Sequence, residues 1–137
     1  MRIEKFEDLE IWQEARAFCK YVYEITSLGK FASDFRFRDQ FRSSSGSIMD
    51  NVAEGFGRGG NKEFLQFLFI AKGSCYESRS QGYRAFDYTY ITEEELNIVL
   101  EKTDIIGKKL NSLINYLKKD RTRGTKNQEP RTKKQKT

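Results

Sequence analysis

Between Leu96 and Leu117 the chain repeats apolar or small residues in an unbroken three-four alternation: Leu96, Val99, Thr103, Ile106, Leu110, Leu113 and Leu117. An α-helix gathers such positions onto one side, and three heptads of them specify a left-handed seam, either inside a bundle or between chains. The ends of this helix are marked as well. Thr92 with Glu95 forms a capping box, Glu93 and Glu94 put negative charge at the positive end of the helix dipole, and Lys118 and Lys119 close the other end with the opposite sign. The rest of the chain has to supply the surfaces that cover this seam.

Three further helical patterns precede it. The first spans about Glu7 to Ser27 and carries two adjacent stripes, Leu9, Trp12, Cys19, Tyr23 and Ile11, Ala15, Phe18, Val22, Ile25. They cover an arc of about 200°, interrupted by Arg16, whereas a surface helix of a monomer needs a stripe a little over 100° wide. Gly29 and the segment 28–33 read as a turn, with Ser33 or Asp34 capping the second helix.

That second helix turns Phe37, Phe41, Ser44, Ile48, Val52 and Gly55 to one side and a polar row to the other. Arg36, Gln40, Ser43, Ser47, Asn51 and Glu54 fall within about 80° of each other, more order than a random solvated face shows. It stops at a corner where Gly55, Gly57, Gly59 and Gly60 are expected to relieve the steric cost of positive φ.

The third helix is expected to start after Asn61 as its N-cap and to reach about Tyr88. Its seam is Phe64, Leu68, Ala71, Cys75, Ser78, Gly82 and Phe86, and the small residues in the middle invite a close neighbour with bulky side chains, such as Phe37, Phe41 or Trp12. Leu65, Phe69, Tyr76 and Tyr83 add a second apolar row, more than one core requires. Four such helices with short connections predict an all-α, antiparallel up-down-up-down four-helix bundle over residues 1–119.

The 137 residues suit one domain. Residues 1–119 hold equal numbers of acidic and basic groups, so the formal charge of +5 resides wholly in residues 120–137. There Arg121, Arg123, Lys126, Arg131, Lys133, Lys134 and Lys136 accompany Pro130 and no large apolar residue. Such a segment is expected to form a disordered basic tail. It matches the arms that bind nucleic acid through phosphates, and equally a solubilising extension. The opening residues have no secretory apolar run, and the longest apolar stretch, Phe67 to Ala71, cannot cross a bilayer. Cys19 and Cys75 both fall on apolar faces and read as small reduced core residues. A cytoplasmic, soluble protein with no membrane contact is expected.

With no histidine, the chain has no Glu-x-x-His pairs for a di-iron site and no histidine-assisted nucleophile, and two cysteines alone do not make a zinc site. Carboxylates on helices mostly pair with Lys and Arg at the surface. No enzyme, metal or cofactor is therefore expected. The Gly-Phe-Gly-Arg-Gly-Gly corner follows a helix, not a strand, and lacks a following Gly-Lys-Ser/Thr, so it reads as a turn. Arg58 and Lys62 could still lend the third helix some anion affinity at its start. Asn51, Glu54 and Arg58 could tie the corner together or form a polar contact surface. Tyr76, Tyr83, Tyr88 and Tyr90 could stack on unpaired bases or fill a subunit interface.

The pattern Ser47, Ile48, Asn51, Ala53, Glu54, Gly55, Arg58 resembles the signature of the bacterial 23S rRNA intervening-sequence proteins, the S23 or four-helix-bundle protein family. The stretches 8–15, 39–42 and 71–74 with Glu77 resemble the same family, so the likeness runs from about Phe6 to Leu117. Where relatives usually carry Arg-Ala-Ala, this chain has Ser43, Ser44 and Ser45, which makes that face more polar. The resemblance implies a four-helix bundle assembled as a homopentameric ring, which would cover the surplus apolar faces of the first and third helices, and an association with RNA, rRNA in particular. The fold is also similar to that of the accessory proteins of diversity-generating retroelements, pentameric bundles that engage a reverse transcriptase, which implies a protein client as the alternative partner.

Overall fold

The computed structural model describes residues 3–127, and among them every regular element is helical. A short 3-10 turn at Phe6–Asp8 leads into α1 (Glu10–Ile25), then come the short α2 (Gly29–Ser33), α3 (Phe35–Gly57), α4 (Asn61–Asp87) and α5 (Glu93–Asn127). α3 packs on α4, α4 on α5, α5 on α1 and α1 on α3, so each long helix has two long neighbours.

Cross-helix bonds set their directions. Between α3 and α4, Ser47 meets Ser74 while Ser44 meets Ser78. Between α4 and α5, Cys75 reaches the carbonyl of Thr103 while Arg79 reaches that of Leu100. α1 follows the same rule, with Cys19 beside Gly46 and Thr26 bonded to Arg42. Rising numbers on one helix meet falling numbers on the next, as expected of neighbours joined by short connections.

The α5 seam forms the most regular wall of the core: all seven of its positions are buried, and Leu96, at 7% exposure, is the most open of them. Its capping box closes in both directions, with Glu95 N–H donating to Thr92 Oγ1 at 3.1 Å and Thr92 N–H to Glu95 Oε1 at 2.9 Å. The inner stripe of α1, Ile11, Ala15, Phe18, Val22 and Ile25, is buried as its spacing predicts. Asp34 caps α3 by accepting from Phe37 N–H at 3.2 Å.

Several expectations are corrected. α1 begins at Glu10 because Leu9 is extended (φ −74°, ψ 126°) and sinks its side chain fully into the core. The preceding turn brings Phe6 edge-on to Trp12 at 5.1 Å, so much of the surplus apolar surface predicted for α1 is covered within the chain. Tyr23, at 60% exposure, remains outside. The segment expected as a turn holds α2, opened by Gly29 at φ +60°, and buries Phe31 completely against Phe37, Phe41 and Tyr90.

At the α3–α4 corner only Gly59 uses a positive φ, +94°. Gly60 is the N-cap of α4, and Asn61 is its first helical residue instead of the cap. The α4 seam shifts at its end: Ala85 is buried and Phe86 is 38% exposed, because a step of three and not four follows Gly82. Val99 and Leu96 of α5 fill the space at Gly82, whereas Trp12 packs with Phe6 and beneath Arg16. Finally, α5 continues to Asn127, past the boundary expected at Asp120, since residues 121–127 include no proline to break it and Gly124 alone does not. Residues 128–137 lie outside the described residues. Among the described residues no helix is long and apolar enough to cross a membrane.

Candidate functional site

The polar row of α3 faces the flank of α4, and at its centre it is held by hydrogen bonds between the two helices. Asn51 Nδ2 donates to the Ser47 carbonyl at 2.8 Å and to Ser47 Oγ at 2.9 Å, and Ser74 Oγ donates to Ser47 Oγ at 2.8 Å. One layer further, Ser44 Oγ lies 2.8 Å from Ser78 Oγ and donates to Gln81 Oε1 at 2.5 Å. Gln81 Nε2 in turn donates to Glu77 Oε2 at 3.3 Å. Ser44, Ser78 and Gln81 are buried, so each would cost free energy if left unpaired, and the network fixes the register of the two helices.

The signature residues thus acquire physical roles. Ile48 is completely buried. Gly55 is a point of closest approach: a Cβ there would stand 2.6 Å from Phe67 Cβ and 3.0 Å from Phe64 Cδ1. Ser47 bonds across to Ser74 of α4, Asn51 braces Ser47 from one turn along α3, and Ala53 is half-buried. Glu54 and Arg58 pair across one turn at 2.9 Å, and the Arg58 guanidinium also covers the Phe67 ring at 5.0 Å. Lys62 is exposed on the first turn of α4. The corner therefore holds one committed cation, Arg58, and one, Lys62, that makes no ion pair among the described residues.

Two adjoining cavities open along this face. One, of about 370 Å³, lies beside Asp39, Gln40, Ser43, Ser47, Ser74 and Glu77. The next, of about 350 Å³, is lined by Asp34, Arg36, Phe37, Gln40, Arg84 and Tyr88, where α3 begins and α4 ends. Asp34 is occupied there, since its Oδ2 accepts from Tyr90 O–H at 2.9 Å while its Oδ1 caps α3. That bond to a carboxylate pushes the Tyr90 phenol above its usual range, with burial adding to the effect. The Arg84 guanidinium stacks on the Phe37 ring at 4.2 Å. Tyr88 stands edge-on to Phe37 at 5.7 Å and is 48% exposed.

The four tyrosines consequently separate. Tyr76 and Tyr83 are open on α4, Tyr88 borders the cavity, and Tyr90 is half-buried within the Phe31 cluster. Arg84 and Arg79 escaped sequence reasoning. Arg79 donates to Leu100 O at 2.8 Å and Thr103 Oγ1 at 2.9 Å, tying α4 to α5. The hint available was their positions, Arg84 one turn before Tyr88 and both beside the small seam residues Ser78 and Gly82. Of the tail cations, Arg121, Arg123 and Lys126 belong to the last turns of α5, while Arg131, Lys133, Lys134 and Lys136 lie outside the described residues. Both cysteines are free thiols, Cys75 buried and Cys19 half-buried. Among the described residues no group of three or more Cys, Asp or Glu is placed to hold a metal ion.

Compared with known proteins, residues 7–112 match the family described as 23S rRNA-intervening sequence protein. No curated protein matches. The chain is similar to a crystallised protein of unknown function from the S23 ribosomal protein family of Bacteroides thetaiotaomicron, at 23% identity and a TM-score of 0.70. That match covers 77% of this chain and 95% of the other, and it speaks to the fold.

Proposed function

Because the chain belongs to the 23S rRNA-intervening sequence protein family, whose match spans residues 7–112, we propose that it is a non-enzymatic, cytoplasmic homo-oligomer of antiparallel four-helix bundles, a pentameric ring, that associates with RNA. The bundle reading is supported by the closed cycle of neighbours among α1, α3, α4 and α5.

The observation that carries self-assembly is the outer face of α4. Phe69, Gly73, Tyr76, Ser80 and Tyr83 repeat in steps of four and three, aromatic and small residues alternating. All five are exposed, with Phe69 at 46%, Tyr76 at 55% and Tyr83 at 47%. A row that alternates large and small at heptad spacing gives a second copy both knobs and holes, and exposed apolar surface on this scale favours burial between molecules.

The RNA reading is supported by charge. Seven cations fall between Arg121 and Lys136, the first three of them in the last turns of α5, and the end of α5 by the antiparallel packing lies at the same end of the bundle as Arg58 and Lys62. Several copies of such a segment on one ring would act together on one strand. The test pairs two measurements. Sedimentation is expected to give a mass several times the 16.1 kDa of one chain. Replacing the seven cations by Gln is expected to flatten the salt dependence of RNA affinity. An unchanged salt slope would remove the tail from the reading, and no RNA binding by the intact chain would favour a protein client in RNA's place.

A further inference from the structure

We infer that the cavity between the start of α3 and the end of α4 binds an unpaired nucleotide of an RNA strand, its base stacked on Arg84 and Tyr88 and its phosphate held by Arg36. The inference rests on the RNA reading above and adds a second contact, at the end of the molecule opposite the basic tail.

Several charges around this cavity are already satisfied. Arg38 pairs with Asp39 at 3.0 Å, and Asp34 spends both carboxylate oxygens on Phe37 N–H and Tyr90 O–H. Arg36 and Arg84 make no ion pair among the described residues, yet both line the same space of about 350 Å³. With Asp34 the one carboxylate of the lining and already bonded on both oxygens, the two guanidiniums leave the cavity one positive charge in excess, and Arg36 presents its fork of N–H donors to a phosphate.

The stacking surface is equally specific. The Arg84 guanidinium carbon lies over the Phe37 ring at 4.2 Å, which holds the group at the cavity, and the residue is exposed to an incoming base. The Tyr88 ring is braced edge-on by Phe37 at 5.7 Å and by Tyr90 at 5.6 Å, so stacking a base on it costs little further ordering. A planar cation beside a half-exposed aromatic ring is the platform on which unpaired bases stack, and the Gln40 amide at the rim can bond a base edge. A duplex keeps its bases inside the stack, so the pocket selects single strands.

The experiment measures the affinity of the full chain for a single-stranded oligoribonucleotide and for its fully paired duplex, at one salt concentration. Arg36→Gln and Tyr88→Leu are each expected to weaken the single strand about tenfold while leaving the duplex nearly unchanged. Arg36 is an exposed side chain, so its variant folds even if the Tyr88 variant does not, and a circular dichroism melt checks both. Wild-type affinity for the single strand in both variants, or equal losses on strand and duplex, would overturn the pocket and leave the RNA reading standing. An intact chain that binds neither form would overturn both.

Discussion

At Gly55 the backbone of α3 lies so close to α4 that the obstructing atom is the Cβ of Phe67, which cannot swing away as the end of a long side chain could. Gly55→Ala is therefore expected to cost about 1–3 kcal/mol, read as a lower denaturant midpoint with an unchanged slope. Gly107 is the control. It is buried inside α5, yet a Cβ there meets nothing within 4 Å, so Gly107→Ala is expected to stabilise by up to about 1 kcal/mol through helix propensity. The Cys75 thiol gives a pH dependence. Burial raises its pKa from 9.0 to about 11, partly opposed by the Arg79 charge, so the folded state keeps the thiol neutral where the unfolded chain ionises. Its contribution is intact below pH 9 and is lost as pH rises towards 11, and Cys75→Ala is expected to flatten the fall of the unfolding midpoint across that interval.

Among the elements, α5 was the most legible in the sequence, since its cap, its seam and its opening acids are all written within a few turns of each other. Thr92→Ala is expected to cost about 1 kcal/mol, with the loss appearing first as hydrogen exchange in the opening turn of α5. α2 was illegible for the opposite reason. Five residues carry no period, and Phe31 is buried only because Phe37, Phe41 and Tyr90 converge on it from α3 and the α4–α5 connection. The polar row of α3 was read correctly as a row. Its division into inter-helix bonds, an exposed ion pair and a cavity wall depended on where α4 lies.

For the molecule as a whole, the predicted surplus of apolar surface is real but sits mainly on α4, since the turn before α1 brings Phe6 against Trp12. Tyr76→Lys, at the middle of the exposed row, is expected to shift the sedimenting mass towards one chain while the helical signal stays intact. A folded assembly of unchanged size would place the interface elsewhere. The sequence by itself determined the four long helices, the caps at Asp34 and Thr92 and the inward side of each long helix, because these depend on spacings of three and four residues within one segment. Only the tertiary structure decided that Gly55 faces Phe67, that Ser44 bonds Gln81, and that Arg36 and Arg84 share one cavity. Those pairs come from different helices, and the register at which antiparallel helices meet is set by the fit of all their side chains together.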